Sequence, residues 1–282
     1  MTKLFPTILS VMIGSLLSCN RVESKKVTTV KKDESIHSEI KGPLLNKVFT
    51  IDRAAITRDY TTWYNYTYYN VRLSQDFIGL DVDSLKIDKL NFLNKLLAGN
   101  VVAFKIKILE GEPVYKLYKL NSKDASIRAT IQQLASTEIQ HSKMEGTVIP
   151  EFNFVDLNGK TYDRSSTKGK IIVLKCWFIH CIACVREFPE CNKLVDDNKD
   201  RNDILFISLA MDSKEDLTKF LKTRELKYAV IPKMDDYMAG KLKITEYPTH
   251  LLVDNKGKIL KVVNTLEDLI PFLKKETRPS TL

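Results

Sequence analysis

The chain has 282 residues and a formal net charge of +9, with 44% hydrophobic and 28% charged residues. This length and balance fit a soluble globular protein with room for two compact domains besides leader and linker segments. The lysines are spread along the chain and accompany no motif that reads RNA or DNA, so the positive charge speaks for solvation or anionic headgroups and against nucleic acid as a partner.

Residues 1–19 carry Lys3, an apolar stretch from Leu4 to Leu17, and then Ser18-Cys19, the layout of a secretory signal. Its end resembles the bacterial lipobox, which implies cleavage before Cys19 and a lipid on that cysteine. Residues 20–43 are charged and carry Ser and Thr; such a stretch cannot bury enough apolar surface to fold and reads as a flexible tether. A random coil of that length spans roughly 25–30 Å. The expected address is extracytoplasmic, lipid-anchored to a bacterial membrane and facing the periplasm.

A smaller α+β domain is expected over residues 44–143. The aromatic and β-branched run Trp63-Tyr64-Asn65-Tyr66-Thr67-Tyr68-Tyr69-Asn70-Val71 predicts a strand with both faces partly covered. Within Lys86–Leu97, Ile87, Leu90, Leu93 and Leu97 fall at helical spacing. Val101–Leu109 and Val114–Leu120 flank Glu110-Gly111-Glu112-Pro113, a hairpin signal, and Ile127–Ile139 reads as an amphipathic helix. No catalytic constellation stands out in this domain, and its role stays open.

The second domain, residues 147–282, begins with Phe152–Leu157 and Lys160–Tyr162 around the tight-turn pair Asn158-Gly159. Strands at 170–178 and 203–210 alternate with helices at 182–197 and 213–223, as a βαβ unit requires. A short strand near Tyr228–Ile231, a strand Thr249–Val253 led by Pro248, its hairpin partner Ile259–Val263 and a helix Leu266–Lys274 follow, so the fold class is α/β with a central mixed sheet flanked by helices. Cys184, Phe188, Cys191 and Val195 share one face of the 182–197 helix, which Pro189 is expected to kink. Cys191 and Cys176 therefore read as small buried hydrophobes.

Cys181-Ile182-Ala183-Cys184 stands where the apolar run Ile171-Ile172-Val173-Leu174 gives way to that helix. A disulfide needs Cα atoms within about 7 Å, which one helical turn supplies. Unpaired N–H groups and the dipole at a helix start favour a thiolate, so Cys181 is expected to be the more acidic and nucleophilic partner. A zinc site would need two further ligands; Cys19, Cys176 and Cys191 are isolated, and the histidines at 37, 141, 180 and 250 are scattered. No cofactor and no metal are expected.

The stretch from Val173 to Glu190, with Glu246-Tyr247-Pro248-Thr249 much later, resembles the thioredoxin superfamily and most closely its membrane-anchored TlpA/ResA-like thiol–disulfide oxidoreductases, over about residues 147–275. The resemblance implies a thioredoxin-like fold, Cys181 and Cys184 as the redox-active pair, and Pro248 as a cis-proline facing them, with Tyr247, His180, Trp177 and Lys175 in support. It further implies a protein disulfide as substrate and an upstream membrane or periplasmic thiol reductant. Lys175 stands where many thioredoxins carry a buried acid; it reads as a lysine whose stem packs while its ammonium reaches solvent, or as a cation favouring the Cys181 thiolate. His180 replaces the usual tryptophan before the first cysteine, as a thiolate-stabilising imidazolium or a polar rim residue. Three rivals are a peroxiredoxin-like peroxidase, which would want a threonine where Phe178 stands, a copper protein using both cysteines and His250, and a lipid-anchored binding protein whose first domain does the work.

Overall fold

The computed structural model describes residues 46–277. Cys19, the expected signal and the expected tether lie outside the described residues. Among the described residues no helix is long and apolar enough to cross a membrane.

The first region runs β1 (Asn46–Val48), α1 (Arg53–Ile56), α2 (Tyr60–Asn70), β2 (Ile78–Leu80), β3 (Lys86–Ile87), α3 (Lys89–Leu97), β4 (Val101–Leu109), β5 (Glu112–Lys119) and α4 (Ala125–Met144). Its strands form one sheet in the order β1-β4-β5-β2-β3. The hairpin of β4 and β5 is antiparallel, and Glu110 and Gly111 turn it with φ of 52° and 86°, the positive values that a two-residue turn matching the sheet twist demands.

The expected strand Trp63–Val71 is instead most of helix α2. Asp59 caps it, accepting hydrogen bonds from the Thr62 N–H at 2.8 Å and the Thr62 hydroxyl at 3.0 Å. Trp63 is buried in a core with Phe92, Phe104 and Ile131, while Tyr60, Tyr64 and Tyr68 stack one turn apart at 5.6 and 6.3 Å. Aromatic residues favour strands because they pack well on a half-buried surface; a helix offers the same packing through i,i+4 pairs. The helical pattern over Lys86–Leu97 also divides: its first two residues are β3, and α3 starts behind Asp88, whose carboxylate accepts the Asn91 N–H at 2.9 Å.

The second region contains β6 (Asn153–Val155), β7 (Thr161–Asp163), β8 (Ile171–Trp177), α5 (Ile182–Arg186), α6 (Phe188–Asp197), β9 (Ile204–Ala210), α7 (Lys214–Leu221), β10 (Ala229–Ile231), a π-helical turn Tyr237–Lys241, β11 (Thr249–Val253), β12 (Ile259–Val263) and α8 (Leu266–Glu276). The central sheet has the order β10-β9-β8-β11-β12; β8, β9 and β10 are parallel, and β11 is antiparallel to both its neighbours. Every residue of β8 is buried. Ile171, Val173 and Trp177 face one core with Cys184, Phe188 and Leu269, while Ile172, Leu174 and Cys176 face a second with Phe154 and Met238. The single helix expected over 182–197 is broken at Glu187 into α5 and α6, and Pro189 sits in the first turn of α6, where its missing N–H would have had no helical partner. Cys184, Phe188 and Cys191 are buried and Val195 is half-buried, so the apolar face survives the break.

The two regions touch along α4 and α8. Arg72 bridges to Glu267 at 3.3 Å and Asp268 at 3.4 Å, Ser74 donates to Asp268 at 3.1 Å, and Lys261 pairs with Glu145 at 3.0 Å.

Candidate active site

Cys181 and Cys184 are joined by a disulfide with Cα atoms 5.2 Å apart. Cys181 is the N-cap of α5, and its sulfur accepts the Cys184 N–H at 3.1 Å. A backbone donor aimed at that sulfur favours its anionic form once the pair is reduced. Cys181 is 8% exposed and Cys184 fully buried, so only the first sulfur is open to attack from outside. The preceding loop is held by Asp212, which accepts the Ile179 N–H at 2.8 Å. His180 is exposed on that loop.

The Tyr247–Pro248 peptide bond is cis. The Tyr247 ring meets Phe178 edge-on, centroids 5.6 Å apart, which brings the proline loop against the loop leading to Cys181. Asn264 donates to the Pro248 carbonyl at 3.0 Å and secures the start of β11. Burial pushes the Tyr247 phenol up to about 12, so its hydroxyl stays protonated. Trp177 is fully buried against Phe188 and Phe220, at 4.9 and 6.2 Å, and supports the loop from within the core.

Lys175 departs most from its expected place. Its ammonium does not reach solvent: the residue is fully buried, and Nζ donates to Glu187 Oε2 at 2.6 Å. Strand alternation puts Lys175 on the face of Val173 and Trp177, under α5 and α6, and an ammonium there needs a counter-charge. The same Oε2 meets His250 Nε2 at 2.9 Å, and Glu187 Oε1 accepts the Leu266 N–H at 3.0 Å where α8 begins. Lys175 and His250 are directly paired across β8 and β11. Burial raises the Glu187 carboxyl, but the hydrogen bonds and charges of His250 and Lys175 outweigh it and hold the group at about 2. Burial, then the Lys175 charge, lowers His250 against the pull of Glu187, so the ring is neutral and the cluster holds one cation and one anion.

Glu187 and His250 thus join the site unannounced by the sequence reading, where His250 had appeared only as a copper ligand; it faces Glu187 instead. The signal was a lysine inside the apolar strand Ile171–Trp177, which demands a buried acid, with Glu187 one helical turn after Cys184. Among the described residues the other two thiols, Cys176 and Cys191, are buried, and burial pushes Cys176 up strongly and Cys191 up to about 11. Among the described residues no group of three or more His, Cys, Asp or Glu is arranged to hold a metal ion.

A paired-cysteine turn leading out of a central parallel strand, faced by a cis-proline loop in a mixed sheet, defines a thiol–disulfide oxidoreductase of the thioredoxin superfamily. Residues 146–262 match the AhpC/TSA family. The thiol-disulfide oxidoreductase ResA of Bacillus cereus is 31% identical over 136 residues, 47% of this chain and 78% of that protein. ResA of Bacillus subtilis is 29% identical over 125 residues, 44% of this chain and 69% of that protein. Among solved structures, the thioredoxin domain of a thiol-disulfide oxidoreductase from Bacteroides vulgatus is 26% identical, with a TM-score of 0.43 covering 48% of this chain and 98% of that one. The chain belongs to the TlpA/ResA-like thiol–disulfide oxidoreductases.

Proposed function

We propose that this protein is anchored by lipid on Cys19 to a bacterial membrane, facing the periplasm, and reduces disulfides of other proteins there. The observation that carries the reading is the asymmetry of the pair: Cys181, 8% exposed, with a backbone donor on its sulfur, and Cys184 fully buried behind it. In the reduced protein the Cys181 thiolate attacks one sulfur of a substrate disulfide, forming a mixed disulfide and expelling the other sulfur as thiolate. Cys184, deprotonated, then attacks Cys181, releasing the second substrate thiol and closing the Cys181–Cys184 bond. An upstream membrane or periplasmic dithiol returns the pair to its reduced form. The Lys175–Glu187–His250 cluster positions this machinery, since one carboxylate ties β8, β11, the α5–α6 junction and the start of α8 together.

Trapping tests the assignment. Cys184→Ser is expected to accumulate mixed disulfides through Cys181, visible by non-reducing electrophoresis and mass spectrometry. Accumulation only in Cys181→Ser would reverse the roles, and none in either variant would refute the exchange chemistry. Peroxide consumption by the reduced wild type, at a rate exceeding its reduction of disulfides, would favour the peroxidase reading instead.

A further inference from the structure

Beside the disulfide, on the side formed by α5, α6 and α7, lies an open groove of about 750 Å³ that the exchange mechanism above does not use. Ile179, Ile182, Val185, Phe188, Pro189 and Phe220 give it an apolar lining. Ile182, placed between the two cysteines, is 76% exposed, an unusual position for a large aliphatic side chain and one that continues the groove up to the reacting sulfurs. Arg186 and Arg224 also line it, and among the described residues neither guanidinium has a carboxylate or hydrogen-bond partner. Glu225 is the single acid in the lining; its backbone carbonyl accepts the Asn192 side-chain N–H at 3.0 Å. The net charge of the lining is therefore positive.

We infer that this groove seats the stretch of substrate polypeptide next to the attacked disulfide, and that it selects substrates with a bulky apolar residue and a carboxylate beside the reactive cysteine. The inference rests on Cys181 and Cys184 being the exchanging pair. Its volume lies in the range of ligand sites that accept a few side chains. Proximity to the disulfide argues for the occupant: Ile182 lies between Cys181 and Cys184 and lines the groove, so a chain held by a mixed disulfide to Cys181 has the groove within reach. Two unpartnered guanidiniums over an apolar floor match a carboxylate next to an apolar side chain, because a guanidinium can engage carboxylate oxygens in bidentate fashion while the apolar group loses its contact with water.

The test uses the full-length protein, reduced with dithiothreitol and freed of it, against two synthetic disulfide-linked peptides. One carries phenylalanine and aspartate beside the cysteine and the other serine and lysine there; bis(2-hydroxyethyl) disulfide serves as a substrate without flanking chain. The wild type is expected to favour the first peptide in kcat/KM by about tenfold, equivalent to about 1.4 kcal/mol. In Arg224→Glu the ratio should fall towards one, and in Arg224→Lys, which keeps the charge but loses the bidentate fork, part of it should remain, a contrast that a general structural defect would not produce. A wild-type ratio near one, or a ratio that Arg224→Glu leaves unchanged, overturns the inference while the exchange chemistry stands. A ratio near one together with a concentration-dependent dimer that Arg224→Glu abolishes in sedimentation would give the groove to a second copy of the chain and equally overturn it. If none of the three disulfides is reduced, the exchange reading itself fails.

Discussion

The sheet that carries the disulfide is closed on both faces by separate cores, whereas the β1-β4-β5-β2-β3 sheet has one core and strands that leave it, with β4 half-buried beyond Phe104 and Val48 open to solvent. The difference shows in how each region handles charge. In the first, Arg58 and Asp59 pair at 3.1 Å with side chains 72% and 44% exposed. In the second, Lys175 has no route to water, and Glu187 with His250 must satisfy it inside the fold. Removing one partner of an exposed pair leaves a solvated ion; removing one partner of a buried pair strands a charge.

The sharpest way to break this contrast is Lys175→Met, which leaves the Glu187 carboxylate without its cation. It is expected to cost about 3–5 kcal/mol in urea unfolding, the scale of an unpaired buried charge. Arg58→Ala should cost no more than about 1 kcal/mol. Replacing both Lys175 and Glu187 by apolar residues of similar volume should recover much of the loss, since both desolvation penalties disappear together. Equal costs for Lys175→Met and Arg58→Ala would show that the doubly covered sheet is not the low-dielectric frame its burial indicates.

A second carboxylate sharpens the comparison by moving the other way. Glu138, on α4 where the regions meet, is raised from 4.5 to about 7, first by burial, against the pull of Lys89 and Lys261 and with Glu145 and Asp268 adding to the rise. Below pH 4.5 the group is protonated folded or unfolded and contributes nothing. Between 4.5 and about 7 the unfolded chain releases the proton while the folded chain keeps it, so stability declines as pH rises, by at most about 3 kcal/mol, and levels off above 7. Glu187 has the opposite sign: its contribution is full above 4.5 and is lost as pH falls towards about 2. In urea titrations across pH 4 to 8 the stability of Glu138→Gln relative to wild type should therefore rise with pH by up to about 3 kcal/mol, a difference from which the opposing contribution of His141, lowered by burial to about 4, cancels; a flat difference would refute the assignment to Glu138.

How far the sequence disclosed these regions follows from the same contrast. β8, β11 and β12 are buried throughout or nearly so, so the apolar runs Ile171–Leu174 and Leu251–Val253, and the apolar residues on either side of Lys261 in Ile259–Val263, mark them plainly, and the cysteine pair and the proline before Thr249 are local signals. Glu187 and His250 escaped because their meaning lies in a contact across the fold, 63 residues apart in sequence. In the half-covered first region, α2 presents tyrosines on its outer and inner sides alike, with Tyr68 and Tyr69 more than half exposed, so its composition reads as a strand. The readable counter-signals were Asp59 three residues before Thr62 and the fourfold spacing of Tyr60, Tyr64 and Tyr68. Short β1, β2, β3 and α1 left no periodicity long enough to read.

Asp124 offers the smallest and most local of these tests, because one carboxylate serves two helices of the first region. Its Oδ1 accepts the Ser126 N–H at 2.9 Å and so caps α4, while Oδ2 accepts the Tyr60 N–H at 3.1 Å at the start of α2. Helix starts leave N–H groups without intrahelical partners, and Asp and Asn serve about equally well as caps. Asp124→Ala should lower stability by about 1–2 kcal/mol, and Asp124→Asn by only a fraction of that. Circular dichroism at matched urea concentrations would register the loss. If α2 were a strand packed by its aromatic residues, the Tyr60 N–H would not depend on Asp124, and the two substitutions would differ only by what α4 loses; a hydrogen-exchange gain confined to α4, with the Tyr60–Trp63 amides unchanged, would therefore break the link between the two helices.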